Sequence, residues 1–150
     1  MANTFTQLYA HIVFSPRGRS NAISPIWKVE LYKYIAGIIA NKNQKLMAVN
    51  GMPDHIHLLI GLKPDCCLSD LIRDVKANSS RFIKDKNFVP EIFEWQKGFG
   101  AFSVGQRELT TIINYIKNQE EHHKMVSFRK EYIRFLREHE IDFKSEYIFS

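Results

Sequence analysis

The chain has few of the features that define secreted or membrane proteins. Its only cysteines are the neighbours Cys66 and Cys67, which excludes a disulfide framework and a four-cysteine zinc site. No stretch approaches the roughly 20 apolar residues that a bilayer-spanning helix needs, and the opening MANTFTQLYAHIVF lacks the layout of a signal peptide. We therefore expect a soluble protein of the cytoplasm.

Acidic residues are scarce in the first part of the chain. Up to Ile60 the only acids are Glu30 and Asp54, whereas the tail at about 138–150 is acidic. The whole chain carries a net charge of +5, from 21 basic and 16 acidic residues. The part of the chain before this tail is basic and suits an acidic partner. Nucleic acid would therefore bind this basic body and not the tail.

Internal repeats and Gly/Ser-rich linkers are also absent. The 150 residues therefore predict one domain, 1–150, with no internal boundary. A hydrophobic fraction of 45% is enough for a packed core.

The order of predicted elements is that of a ferredoxin-like sandwich. Segments rich in β-branched and aromatic residues indicate strands, and apolar residues at helical spacing indicate helices. The strands are predicted at 4–15, 45–52, 55–62 and 98–104, and the helices at about 25–41, 67–86, 106–124 and from 127 onwards. This order predicts an α+β fold, a split βαβ sandwich with an antiparallel sheet and added C-terminal helices. We expect helices on one face of the sheet and a free second face.

Two histidines lie two residues apart in the predicted third strand, in the stretch NGMPDHIHLLIGL. Side chains at i and i+2 of a strand share a face, so His55 and His57 point to the same place. Such a pair is often explained by hydrogen bonds alone. At the start of a central strand, however, the two imidazoles could also hold a divalent metal and leave coordination sites open for a substrate.

The third predicted helix offers further polar partners. At 100° per residue, Tyr115, Gln119 and His122 share one flank, whereas His122 and His123 diverge by about 100° and are not expected to form a bidentate site. Taken singly, Tyr115 is explained as a boundary side chain and Gln119 as a solvated one. Beside a metal-binding histidine pair they suggest phosphoryl transfer, because a metal that polarises the phosphate compensates for a weakly nucleophilic tyrosine hydroxyl.

Several motifs together resemble one family. The chain is similar to the small single-tyrosine transposases with a His-hydrophobe-His motif, of the insertion-sequence-two-hundred type, and to the related REP-associated tyrosine transposases. The resemblance covers nearly the whole chain. It includes YAHIVFSPRGR, VNGMPDHIHLLI, VKANSSRFIK, FEWQKGFGAFSV and YIKNQEEHHK.

The resemblance implies an enzyme that cuts and rejoins single-stranded DNA. In this interpretation His55, His57 and Gln119 bind Mg²⁺ or Mn²⁺, and Tyr115 forms a 5′-phosphotyrosine link and releases a free 3′-hydroxyl. The resemblance also implies subterminal DNA hairpins as the target, and a homodimer in which the tyrosine helix of one subunit can complete the metal site of the other. Four basic residues are predicted to contact the DNA: Arg17, Arg19, Lys76 and Arg81.

Three other interpretations stay open. The segment KGFGAF, with Phe99 and Phe102, begins like the RNP1 signature of RNA-binding modules, but it departs from that signature after KGFG and lies on the fourth strand instead of the third. A zinc hydrolase would add His122 to the histidine pair, but the sequence has no His-Glu-x-x-His motif. A domesticated relative would keep the fold and no longer move an element.

Overall fold

Four strands form one antiparallel sheet in the computed structural model, which describes residues 3–149. Residues 1, 2 and 150, which the single-domain prediction includes, lie outside this range. The strands are β1 (Leu8–Phe14), β2 (Lys45–Met52), β3 (His55–Leu62) and β4 (Gly100–Val104), in the spatial order β2-β3-β1-β4. This order confirms the predicted ferredoxin-like sandwich. β1 begins four residues later than predicted, at Leu8 instead of Thr4.

Five helices accompany the sheet: α1 (Lys28–Asn41), α2 (Leu68–Asp85), α3 (Leu109–Lys117), α4 (Gln119–His122) and α5 (Phe128–Glu138). α1 begins after a turn in which the Ser24 hydroxyl accepts a hydrogen bond from the Ile26 amide. The predicted third helix is interrupted at Asn118, whose ψ of 25° departs from helical geometry. Within residues 3–149, none of the helices has the length and apolar content to cross a membrane.

One face of the sheet packs against α1 and α2. Alternate residues of β1 and β3 point to this face and are buried among the apolar stripes of the two helices. The core on this side contains, among others, Ile12, Phe14, Ile56, Leu58, Ile60, Leu31, Ile35, Ile72 and Val75. Each of these residues is inaccessible to solvent, which makes this layer the main hydrophobic core.

The second face of the sheet is covered by the C-terminal part of the chain, so the expectation of a free second face is wrong. α3 and α4 contact β2, and α5 contacts β4. Two smaller apolar clusters hold them there, one around Phe102 and Phe135 and one around Leu59 and Ile116. Their apolar stripes have no other surface to pack on, because α1 and α2 already occupy the first face.

The hairpin between β2 and β3 depends on Gly51. A Cβ atom at this position would lie 2.2 Å from the carbonyl oxygen of His55. This is a steric clash, and the backbone of β3 cannot move away to relieve it. Only glycine therefore allows the two strands to approach this closely. The close approach fixes the turn at Pro53 and Asp54, directly before the histidine pair.

Candidate active site

The histidine pair lies at the start of β3, on the face covered by α3, α4 and α5. His55 and His57 are both inaccessible to solvent, as the i, i+2 spacing requires of two side chains on one buried face. β1 adds a third histidine, His11, to the same face. The structure thus confirms that the two predicted imidazoles share one face, and it brings a third one beside them.

In each ring of the pair, Nδ1 contacts a neighbouring side chain. The Nε2 atoms of both rings point into the same space. Nδ1 of His55 lies 2.8 Å from Oδ1 of Asp54, and Nδ1 of His57 lies 2.8 Å from Nε2 of His11. On the other side, His55 Nε2 is 3.0 Å from Oε1 of Gln119. His57 Nε2 is 3.0 Å from Oε1 of Glu131.

Glu131 of α5 lies at the centre of this space. Its carboxylate is fully buried, and its Oε2 is 3.1 Å from Nε2 of His122 and 3.3 Å from Nε2 of His123. Burial acts to raise the pKa of Glu131, but hydrogen bonds from His123 and His57 outweigh it and hold the pKa well below its usual range. Glu131 is therefore a buried anion among imidazoles.

Tyr115 reaches the same carboxylate from α3. Its hydroxyl donates a hydrogen bond to Oε2 of Glu131 and lies 3.2 Å from Nε2 of His122. The guanidinium of Arg134 lies 3.4 Å from the hydroxyl on the outer side. Burial, and then the charge of Glu131, raise the pKa of Tyr115 above its ordinary value, so in this arrangement the hydroxyl keeps its proton.

Two of the histidines at the sheet, His57 and His11, have a pKa well below the ordinary value. Burial is the main cause that lowers the pKa of His57 to about 4, although Glu131 acts in the opposite direction. Burial also lowers the pKa of His11 to about 3. Neutral imidazoles have a free lone pair, which is the form that binds a metal.

The donor atoms fit a divalent cation. One ligand atom from each of His55, His57, His123 and Glu131 lies within 4.8 Å of all the others. Gln119 Oε1 and Glu131 Oε1 lie 3.0 and 3.5 Å from His55 Nε2. Metal–ligand bonds of about 2.1 Å leave neighbouring donors of an octahedral set about 3 Å apart, so these separations suit such a set. A mixed set of imidazole and oxygen donors suits Mn²⁺ in particular.

The structure brings together the four residues predicted for the chemistry, His55, His57, Tyr115 and Gln119. It also adds residues that the sequence analysis missed: His11, His123 and Glu131. Glu131 carried a signal, since it lies three residues after Phe128 and four before Phe135, on the apolar stripe of α5. A carboxylate on such a stripe indicates a buried polar partner.

The Nε2 atoms of His122 and His123 both reach Oε2 of Glu131, although two neighbours within a helix would diverge. The chain leaves helical geometry after His122, so the divergence of two helical neighbours does not apply. Of the two, His123 belongs to the donor cluster, whereas the zinc-hydrolase interpretation selected His122.

The four basic residues predicted for DNA contacts do not share one environment, and they lie away from the histidines. Arg17 and Lys76 line a groove of about 630 Å³ between α2 and the segment 93–99, and Arg81 lines the adjoining groove. Arg17 forms an ion pair with Glu94 at 2.7 Å. The guanidinium of Arg19 lies over the ring of Phe149.

Lys76 is engaged within the fold. Its Nζ donates hydrogen bonds to the carbonyl oxygens of Gln96 at 2.9 Å and Gly98 at 2.5 Å, and burial lowers its pKa to about 8. These bonds fasten α2 to the segment before β4. A phosphate contact by Lys76 would have to replace at least one of them.

The aromatic residues of the RNP1-like segment do not form an exposed stacking surface. Phe102 is 3% exposed, and its ring stacks on Phe135 with the centroids 5.2 Å apart. Phe99 packs against the main core at the edge of the α2 groove. This packing removes the structural basis for a base-stacking RNA module at β4.

The fold and the site define a class of protein. Its members would have a ferredoxin-like sheet that carries a histidine pair, and a tyrosine that contacts the same carboxylate as the pair. A sequence profile of the family described as "Transposase IS200 like" matches residues 4–119. The chain belongs to this family, which confirms the resemblance.

The transposase of insertion sequence element IS200 from Salmonella typhimurium is 28% identical over 130 residues, which are 83% of this chain and 85% of that protein. The ISDra2 transposase TnpA of Deinococcus radiodurans is 24% identical over 122 residues, 75% of this chain and 84% of that protein.

Solved structures with the same fold include two transposases. A candidate transposase from Deinococcus radiodurans superposes with a TM-score of 0.64 at 21% identity, over 78% of this chain and 94% of that one. The REP-associated tyrosine transposase, solved with a REP hairpin, gives a TM-score of 0.63 at 16% identity over 83% of this chain and 73% of that one. At these identities the two structures establish the fold.

Proposed function

We propose that this chain cleaves and rejoins single-stranded DNA through a covalent bond between the DNA and Tyr115. The observation that carries the proposal is the convergence, within one chain, of the Tyr115 hydroxyl and the Nε2 atoms of the histidine pair on the carboxylate of Glu131. A nucleophile and a group of metal donors are thereby within reach of the same phosphate. Membership of the transposase family supports the same chemistry.

The metal would be Mg²⁺ or Mn²⁺, held by His55, His57 and Gln119, with the carboxylate of Glu131 as a further donor. When bound, it supplies positive charge that offsets the charge of Glu131 and polarises the scissile phosphate. In the reaction the Tyr115 oxygen attacks phosphorus and the bond from phosphorus to the 3′-oxygen breaks. The tyrosine loses its proton, the 3′-oxygen gains one, and the 5′-phosphotyrosine keeps the bond energy for rejoining.

We propose DNA hairpins near the ends of the element as the target. Support comes from the basic body of the chain and from the REP-associated relative, which was solved with a hairpin. Arg17, Arg19 and Arg81 would contact phosphates, since guanidinium groups suit them. Lys76 would shape the α2 groove through its bonds to backbone carbonyls and contribute less to the contact itself.

We further propose that the chain works in the cytoplasm as one catalytic domain and as a homodimer. The contribution of Glu131 from α5 supports the single domain, because the cluster needs an element outside residues 4–119 of the family match. Analytical ultracentrifugation would test the dimer.

The proposed chemistry is tested by trapping the covalent intermediate. The purified chain is mixed with labelled single-stranded DNA from the ends of its own element, with Mn²⁺ or with EDTA, and run on a denaturing gel. We expect an adduct with Mn²⁺ and none with EDTA. Tyr115→Phe should abolish the adduct, because the attacking oxygen is gone.

Tyr34→Phe is the matched control, since it removes a hydroxyl from α1 on the opposite side of the sheet. This variant should form the adduct as the wild type does. If the wild type binds the DNA but forms no adduct on sequences that should be cut, the enzyme proposal is wrong and a domesticated relative is the better account. An adduct that persists in Tyr115→Phe would assign the nucleophile to another residue.

A further inference from the structure

His11 is a buried polar residue to which the proposed chemistry assigns no role. It lies in the middle of β1 with 1% of its surface exposed. Its ring stacks on that of His57 with centroids 5.0 Å apart and an interplanar angle of 25°. The two rings are joined by a hydrogen bond of 2.8 Å between His11 Nε2 and His57 Nδ1.

We propose that His11 is a positioning residue that holds His57 in the form and orientation needed to bind the metal. The proposal rests on the proposed function, because it takes His57 Nε2 to be a metal donor. His11 does not touch the metal or the DNA in this account. It acts only through the ring of His57.

The argument begins with the one proton of a neutral imidazole. If Nε2 of His57 gives its lone pair to a metal, the proton must sit on Nδ1. Nδ1 then needs an acceptor, and the nitrogen at 2.8 Å is Nε2 of His11. Metal-binding histidines generally have a partner of this kind, which fixes the tautomer and the plane of the ring.

An imidazole partner can also serve the site before the metal binds. In this structure His57 Nε2 lies 3.0 Å from a carboxylate oxygen of Glu131, so it donates its proton there. Nδ1 then has a free lone pair, and His11 Nε2 must be the donor. The neutral His11 ring can play either part, because its own proton can sit on Nε2 or on Nδ1.

His55 is supported differently. Its Nδ1 faces Oδ1 of Asp54, a carboxylate that only accepts, so Nδ1 of His55 carries a proton. The two ligands of the pair thus differ: His55 keeps a proton on Nδ1 throughout, whereas the proton of His57 moves between Nε2 and Nδ1. His11 is the residue that permits this change.

The neighbours of His11 leave its ring little freedom. Phe135 makes an edge contact at 5.1 Å, and Phe102 and Tyr115 make edge contacts at 6.1 and 6.3 Å. These aromatic contacts hold the imidazole plane against His57. A replacement of similar shape would keep the packing and change only the hydrogen bond, which makes the proposal testable.

The test compares Mn²⁺ binding by the wild type, His11→Phe and His11→Gln. Binding is measured without DNA, from the electron paramagnetic resonance signal of free Mn²⁺. His11→Phe keeps an aromatic ring but has no hydrogen-bonding group, and we expect its Kd for Mn²⁺ to rise about 10- to 100-fold. His11→Gln can accept or donate through its amide, so its Kd should stay within about 3-fold of the wild type.

His139→Phe is the matched control, because His139 also contacts the ring of Phe102 but makes no contact with the pair. Its Kd should be unchanged. The ¹⁵N NMR shifts of wild-type His57 give a second readout: with Mg²⁺ the proton should be on Nδ1, and with EDTA on Nε2. A structural role alone would not produce this exchange.

The outcomes separate this inference from the proposed function. Wild-type binding of Mn²⁺ with an unchanged Kd in His11→Phe would overturn the role of His11 and leave the proposed function in place. Equal weakening in the Phe and Gln variants would overturn it too, because the hydrogen bond would not be the cause. If the wild type binds no Mn²⁺, the metal-dependent function fails, and the role of His11 fails with it.

Discussion

The two faces of the sheet differ in chemistry although they are built from the same strands. Ile12 and Leu58 point to α1 and α2 and are surrounded by hydrocarbon. Their neighbours His11 and His57 point to the opposite side, where His57 meets the carboxylate of Glu131 and His11 meets the ring of His57. All of these side chains are almost completely buried. The comparison teaches that equal burial encloses a hydrocarbon core on one face and a cluster of ionisable side chains on the other.

The energetic consequence differs as well. Burying hydrocarbon is favourable in proportion to the area removed from water. Burying a carboxylate and imidazoles costs desolvation that only their mutual hydrogen bonds offset. A protein that used both faces for stability alone would have no need for the second arrangement, so the polar face is the candidate for the functional one.

The largest effect should come from the apolar face. Leu58→Ala removes a fully buried side chain from the main core, and we expect the free energy of unfolding to fall by about 2 to 5 kcal/mol. Urea denaturation at pH 7 would measure it. Leu8→Ala, on the same sheet but about half exposed, should cost less than about 1 kcal/mol. A loss below about 1 kcal/mol for Leu58→Ala would mean that this face is not the main source of stability.

A smaller effect should come from acidification of the metal-free protein. The pKa values of His11 and His57 fall to about 3 and about 4 in the fold, from 6.5 in the unfolded chain. Between pH 6.5 and 4 the unfolded chain therefore binds more protons, and the free energy of unfolding falls as the pH falls, by at least about 2 kcal/mol. The pKa of His123 is raised, so this one group makes the free energy of unfolding rise as the pH falls and offsets part of the loss.

Urea denaturation in EDTA at several pH values would check this dependence. Leu58→Ala should show the same slope against pH as the wild type. The titratable groups of its core, Tyr32 and Cys66, have pKa values raised by burial and stay neutral in this pH range. A free energy of unfolding that is flat from pH 6.5 to 4.5 would contradict the picture of neutral buried histidines.

The smallest effect should come from the outer surface of α2. Arg81→Gln should weaken the binding of hairpin DNA and reduce the slope of log K against log salt by about 1, as expected for one lost phosphate contact. At saturating DNA the yield of the tyrosine adduct should be unchanged, since Arg81 lies away from the cluster. Lys33→Gln, an exposed change on α1, is the control and should leave the slope unchanged. An unaltered slope in Arg81→Gln would remove this residue from the interface.

Much of the fold followed from local patterns. The β-branched and aromatic residues of β1, the apolar run of β3 and the helical stripes of α1 and α2 predicted the sandwich and its main core. The spacing of Tyr115 and Gln119 predicted that they share a flank, and the i, i+2 histidines predicted a shared face. These features are decided by residues close together in the chain, where geometry is nearly fixed.

The misses have a common cause. The chain leaves helical geometry after His122, and a helical projection cannot anticipate that His123 then lies beside Glu131. Glu131 comes from a helix 74 residues after His57, and the packing of α5 on the second face depends on contacts that are distant in sequence. His11 lay in a strand that was predicted correctly, but nothing in its own segment identifies a histidine partner 46 residues away.

The sequence by itself determined which side chains share a face and which residue types are available for phosphoryl transfer. It determined this because strand and helix periodicities need no knowledge of the rest of the fold. Only the tertiary structure decided that the second face is covered, that Glu131 enters the cluster and that His11 supports His57. These depend on which buried polar groups meet across separate elements, and each such group requires a partner that the fold alone can bring to it.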